Sequence, residues 1–184
     1  MVKNNILPVL FADDMSFIIS NSNLRDMTHD VAVVLDLIQK WYNANTLLLN
    51  YDKTAIMQFS SDMDYRSLDT TRSISNKISS SDSLKFLDVI FESSLKWGKH
   101  TDLISSKLNS LGYMIRFLRP VLSLNVIKQI YFSYIHSVLS YGIILWGNAP
   151  SSRTVFIAQK RIVRIIMHAR TNESCITMFL DLEF

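Results

Sequence analysis

The chain has 184 residues, of which 48% are apolar and 19% are charged, and its net charge is +3. This composition excludes a largely disordered chain, and the single cysteine excludes a secreted scaffold held by internal disulfides. The charge is uneven, because residues 1–95 hold 8 Lys/Arg and 12 Asp/Glu, whereas residues 96–184 hold 11 Lys/Arg and 4 Asp/Glu. An acidic half can gather metal ions, and a basic half can meet a polyanion such as nucleic acid.

The first half of the chain mixes strand and helix signals. Residues 5–12 and Met15–Ser20 are two short apolar runs around Asp13-Asp14, which predicts a β-hairpin whose turn lacks the usual glycine. Apolar residues at spacings of three and four between Leu24 and Trp41 predict an amphipathic helix. Thr54–Phe59 and Leu84–Phe91 are strand-like, and the Ser/Asp/Thr-rich segment between them predicts a loop.

From residue 100 the apolar spacing is helical. One helix is predicted to end at Pro120, a second begins after Ser123, a basic third spans about residues 153–169, and a short fourth starts near Ser174. The heptad spacing of the second helix predicts three core tyrosines: Tyr131, Tyr134 and Tyr141. We therefore predict an α+β fold with an acidic domain over residues 1–95 and a helical bundle over residues 96–184.

Two charged groups are candidates for chemistry. Asp13 and Asp14 offer oxygen ligands for a hard cation, although a two-metal site also needs carboxylates from other segments. The alternative is an exposed turn in which Asp favours solubility. Lys160, Arg164 and His168 recur every four residues, which puts them on one helical face that could contact a nucleic-acid backbone. The alternative there is an ordinary solvated face.

Five segments in this order resemble sequence boxes of reverse transcriptases. Phe11–Asp14 (FADD) resembles the aromatic-Ala-Asp-Asp box, Leu49–Thr54 (LNYDKT) the Leu-Asn-x-x-Lys-Thr box, and Phe86–Phe91 (FLDVIF) the next one. Leu139–Asn148 (LSYGIILWGN) and Gln159–Ile166 (QKRIVRII) resemble the distal region of non-LTR retrotransposon polymerases of the jockey-like clade. Together the boxes span nearly the whole chain.

The resemblance implies a right-hand polymerase fold and the activity of an RNA-directed DNA polymerase. Residues 1–95 would form a partial palm, and residues 96–184 a helical thumb. Asp13 and Asp14 would be catalytic and would bind Mg²⁺, and Lys53 would assist the pyrophosphate leaving group. For Lys53, a surface lysine before a strand is an equally open interpretation. The implied partners are an RNA template and a DNA primer.

The same resemblance assigns two nucleic-acid contacts. Phe86, Leu87 and Asp88 would belong to a primer-gripping hairpin, and the basic helix would touch the primer–template backbone through Lys160, Arg161 and Arg164. Asp88 replaces a usual glycine, which permits close backbone approach or a positive φ, so the aspartate would add bulk and repulsion.

The family's fingers and its metal-bridging palm aspartate do not fit in the ten residues before Phe11. We therefore expect that the chain does not polymerise DNA alone, and that a nucleotide substrate binds only if a complementing polymerase segment is supplied. The alternative is a non-catalytic remnant that binds nucleic acid or protein. The family implies an intracellular location, in the nucleus or cytoplasm, without a membrane partner. The unpaired edge of residues 6–12 predicts marginal solubility.

Overall fold

The computed structural model describes residues 6–11, 14–59 and 78–182. Its helices and small sheets confirm the α+β class. The chain divides into two compact units, Met1–Ser81 and Asp82–Phe184. The division lies earlier than the predicted boundary near residue 95, because residues 82–95 join the helical unit.

The first unit begins with the expected β-hairpin. Strands β1 (Ile6–Phe11) and β2 (Asp14–Ile19) pair in antiparallel register, with Ile6 opposite Ile19 and Phe11 opposite Asp14. Within the described residues these strands pair only with each other. Leu10 and Phe11 are exposed on β1, which is the apolar edge on which the expectation of marginal solubility rests.

Helix α1 (Leu24–Ala44) confirms the predicted amphipathic helix. Its side chain Val34 is buried, but Trp41, predicted on the apolar face, is 52% exposed. Asp30 is buried on the same helix and accepts a hydrogen bond from Asn21 Nδ2 at 3.0 Å. This hydrogen bond offsets the cost of burying the carboxylate, since buried polar groups are normally hydrogen-bonded.

A parallel pair of two-residue strands completes the first unit. Strand β3 (Ala55–Ile56) is shorter than the predicted Thr54–Phe59 and pairs with β4 (Ser79–Ser80). Most of the predicted loop between them, residues 60–77, lies outside the described residues.

The second unit opens with another antiparallel hairpin. Strands β5 (Ser83–Phe86) and β6 (Val89–Glu92) divide the strand-like run Leu84–Phe91 at a two-residue turn. Both turn residues have positive φ, 46° at Leu87 and 63° at Asp88. This geometry matches the primed turns whose twist suits a hairpin.

Helices form the rest of the second unit. Helix α2 (Gly98–Leu118) ends just before Pro120, as predicted. The next helix consists of α3 (Leu124–Ile130), a π-helical segment (Tyr131–His136) and α4 (Ser137–Ser140). The remaining helices are α5 (Ile143–Trp146), α6 (Ser152–Ile166) and α7 (Ile176–Asp181). None of the described helices is long and apolar enough to cross a membrane.

Helices α2 and α6 run side by side in the same direction. Ser105 lies opposite Thr154 near their beginnings, with 3.4 Å between the hydroxyl oxygens, and Arg119 meets Ile166 at their ends. Between these points a Cβ on Gly112 would lie 3.2 Å from the Ile162 side chain, so the glycine permits close packing. The short connection to α3 then gives the up-down-up order of an antiparallel bundle.

The π-helical segment shifts the side-chain register of the middle helix. Tyr131 is fully buried as predicted, and Gln159 Nε2 donates to its hydroxyl at 2.9 Å. After Tyr131, the buried residues are Ile135 and Leu139. Each lies one residue later in the chain than the heptad spacing predicted. The prediction of core tyrosines was therefore wrong for Tyr134 and Tyr141, which are 59% and 52% exposed. A wider π turn inserts one residue into the apolar repeat.

Candidate nucleic-acid interface

The predicted acidic pair is only partly described. Asp14 is an exposed residue that pairs with Phe11 across the hairpin, so it begins β2 instead of lying in the turn. Asp13 lies outside the described residues. Within the described ranges, no group of three or more His, Cys, Asp or Glu side chains could hold a metal ion. A Mg²⁺ site built on this pair therefore needs ligands in addition to Asp14 from outside the described residues.

Lys53 lies in a tight turn organised by Asn50. The Asn50 side-chain oxygen accepts the backbone N–H groups of Asp52 and Lys53 at 3.1 and 3.2 Å, and its carbonyl accepts the Thr54 hydroxyl at 2.8 Å. Asn and Thr in this box thus have a structural role as turn residues. The Lys53 side chain is exposed.

The turn of the second hairpin contains Leu87 and Asp88, directly after Phe86. The φ of 63° at Asp88 is the conformation that glycine adopts without strain. Asp88 also pairs with Lys85 at 2.6 Å. The hydrogen bond from Lys85 and its charge hold the pKa of the Asp88 carboxyl below its ordinary value. The expected repulsion of a nucleic-acid backbone is therefore partly neutralised by a neighbouring cation.

Two contacts fix this hairpin to the helices. The Tyr141 hydroxyl donates to the Leu87 carbonyl at 2.6 Å, and the Ile90 N–H donates to His100 Nδ1 at 3.2 Å. His100 is 3% exposed and lies between the rings of Trp97 and Trp146. Burial lowers the pKa of His100, so its neutral form accepts the Ile90 hydrogen bond. These contacts explain why residues 82–95 belong to the helical unit.

A cationic groove lies between the C-terminal parts of α2 and α6. Its volume is about 990 Å³, and among the described residues no Asp or Glu lines it. The predicted residues Lys160, Arg161 and Arg164 line this groove. The remaining polar or charged lining residues are Arg116, Arg119, His168 and Thr171. We call this set of lining residues the basic groove.

Three half-buried cations of the basic groove have contacts within the protein. Arg119 Nε donates to the Ile166 carbonyl at 2.6 Å, and Arg164 donates twice to the Glu173 carbonyl at 3.0 and 2.9 Å. The Lys160 ammonium lies over the Phe156 ring, 4.2 Å from its centroid. These contacts fix the positions of the charges, and each guanidinium keeps further donors because it has five N–H groups.

Three other lining residues of the basic groove are exposed: Arg116, Arg161 and His168. His168 follows the end of α6 with a φ of 54°, while the Ala169 N–H donates to the Arg164 carbonyl at 2.9 Å. This is the left-handed helix ending of a Schellman motif. His168 therefore lies beyond the helix and not on its last turn as predicted, although it still lines the groove.

Sequence reasoning missed Arg116 and Arg119. Both lie at the end of α2, where a positive charge is favourable on local grounds alone. Their sequence signal was a pair of arginines before Pro120, which gives no information about the parallel packing against α6. Comparison with known proteins found no matching family, no matching curated protein and no matching solved structure.

Proposed function

We propose that this chain is a palm and thumb portion of a non-LTR retrotransposon reverse transcriptase, and that its helical unit binds nucleic acid in the basic groove. The ordered sequence boxes support the family assignment. The basic groove is the observation that carries the binding function, since it gathers five Arg/Lys residues without a carboxylate within the described ranges. Phosphate oxygens are the ligands that such a surface favours.

The preorganised cations strengthen this proposal. The contacts of Arg119, Lys160 and Arg164 within the protein reduce the side-chain freedom that binding would otherwise remove. Arg116 and Arg161 are exposed and line the same groove. Neither side chain makes a hydrogen bond among the described contacts, so both charges can face a ligand. The RNA template and DNA primer would be held through their backbones, independently of sequence.

A salt titration tests the binding function. Fluorescence anisotropy of a labelled RNA–DNA hybrid should give an affinity that falls steeply with NaCl concentration. The double variant Arg116→Gln/Arg161→Gln should bind more weakly and lower the slope of log K against log salt by about two. Arg153→Gln is the matched control, because Arg153 is exposed on α6 but does not line the basic groove. An equal loss in the control, or binding insensitive to salt, would contradict the proposal.

The polymerase part of the proposal has a separate test. Primer extension on an RNA template with Mg²⁺ should be absent with the chain alone and restored by a complementing fingers–palm fragment. Asp13→Ala should abolish the restored activity, since the pair Asp13-Asp14 is proposed to bind the metal in the assembled enzyme. Extension by the unaccompanied chain would show that a metal site assembles without the complementing segment.

A non-catalytic binding module is the second candidate. It is favoured by one observation, that the described residues contain no group of three or more His, Cys, Asp or Glu side chains that could hold a metal ion. Under this alternative, salt-dependent binding persists while the complementing fragment restores no extension. Both candidates place the chain inside the cell, in the nucleus or cytoplasm where its nucleic-acid partners occur.

A further inference from the structure

An exposed aromatic pair lies beside the basic groove. Tyr113 and Phe117 are 63% and 62% exposed, and their ring centroids are 4.8 Å apart in an edge-on arrangement. Both lie on α2, separated by one helical turn, so they share a face. Arg116, which lines the groove, is three residues after Tyr113 and adjacent to Phe117.

The aromatic pair contributes little to the core of the second unit. The buried residues of α2 are His100, Thr101, Ile104, Leu108, Gly112 and Ile115. Tyr113 and Phe117 instead present most of their ring surface to solvent. Exposed aromatic surface next to concentrated positive charge is a combination that single-stranded nucleic acid complements, because its backbone is anionic and its bases have free faces.

We infer that the basic groove, together with Tyr113 and Phe117, binds a single-stranded polynucleotide in preference to a duplex. The cations would follow the phosphates, and unpaired bases would stack on the aromatic pair. A duplex uses its base faces in its own stacking, so it can satisfy the cations but not the rings. This inference rests on the proposed function, because it uses the same groove and specifies its ligand.

The exposed ring of Phe156 on α6 contacts the groove residue Lys160 and is less available for stacking. Phe156 is 47% exposed and stacks with Phe179, with 6.3 Å between ring centroids, while Lys160 lies over its face. A cation on one face of this ring leaves it less available than the pair on α2. The stacking platform is therefore assigned to Tyr113 and Phe117, and Phe156 supports the position of Lys160.

The test compares labelled oligo-dT with a blunt DNA duplex of the same length, using anisotropy on the full chain. The single strand should bind more tightly. Tyr113→Leu/Phe117→Leu should weaken oligo-dT binding by about fivefold or more, as expected for the loss of one stacked base, and leave duplex affinity unchanged. The salt slope should also remain unchanged, because no cation is removed.

Matched variants separate stacking from general damage. Tyr113→Phe keeps the ring and should retain oligo-dT affinity. Tyr134→Ala removes a similarly exposed tyrosine outside the groove, 59% exposed, and should have no effect. Equal affinity for single strand and duplex, or full affinity of the leucine variant, would overturn the inference and leave the proposed function standing. Loss of all nucleic-acid binding by the unmodified chain would overturn both.

Discussion

The two compact units contain similar kinds of secondary structure but differ in their cores. In the second unit, the described buried apolar residues form one cluster that runs from Val89 to Leu182. In the first unit, the buried apolar residues among those described are Val34 and Ile78. Regular hydrogen bonding therefore occurs in both, whereas extensive apolar burial, the main stabilising contribution to folding, occurs in the second. Strands and helices can thus form without an extensive apolar core beneath them.

Separating the units should give the largest effect. Residues 82–184 expressed alone should melt cooperatively, because the fragment keeps the whole apolar cluster. Residues 1–81 alone should give no cooperative transition in thermal circular dichroism, since few of the apolar residues described there are buried. A sharp transition in the shorter fragment would show that its stability has another source.

The next largest effect should come from truncating a leucine side chain, and its size should differ between the two units. Leu108 is fully buried in the second unit, so Leu108→Ala should lower the free energy of unfolding by about 2–5 kcal/mol. Leu37 on α1 is 51% exposed, and Leu37→Ala should change it by less than about 0.5 kcal/mol. Urea denaturation of both variants measures the difference. Equal losses would mean that α1 has a packing partner as extensive as that of α2.

Acid should weaken the attachment of the second hairpin through His100. Burial lowers the pKa of His100 from its ordinary value of 6.5, so the unfolded chain binds the proton more readily. Its contribution to stability is thus fully present above about pH 6.5 and declines as the pH falls below that value. His100→Gln should reduce this pH dependence in denaturation experiments. His29→Gln, at an exposed position in the first unit, should not.

The smallest expected effect concerns the turn of the second hairpin. Asp88→Gly should raise the free energy of unfolding by about 0.5–1 kcal/mol, because glycine adopts the positive φ without strain. The lost partner of Lys85 matters little, since both side chains are exposed. Lys85→Gln removes the same ion pair and serves as the control. A lower melting temperature for Asp88→Gly would indicate that the ion pair outweighs the backbone strain.

Local patterns in the sequence were sufficient for most elements. Two apolar runs around Asp13-Asp14 predicted the first hairpin, and helical apolar spacings predicted α1, α2 and α6. The pair Leu87-Asp88 was not recognised as a turn, since leucine is uncommon at a positive φ. Its conformation is supported by the Tyr141 hydrogen bond, which comes from a distant part of the chain.

Tertiary packing explains what the sequence did not predict. The heptad rule failed after Tyr131 because the π-helical segment changes the residue repeat, and Tyr134 therefore turns outward. The basic face of α6 was predicted, but the groove is also lined by Arg116 and Arg119 at the end of α2. The parallel contact that joins the two helices depends on packing between distant residues such as Gly112 and Ile162. The candidate site was thus predicted as a helix face and observed as a groove.

The two hydrogen bonds that hold the second hairpin have a mechanical consequence. Tyr141 holds the turn itself, and His100 holds the first part of the returning strand. The hairpin is therefore fixed to α2, the helix that carries both His100 and the groove residue Arg116. A mechanical load applied to the hairpin would therefore pass to the helices through these two bonds.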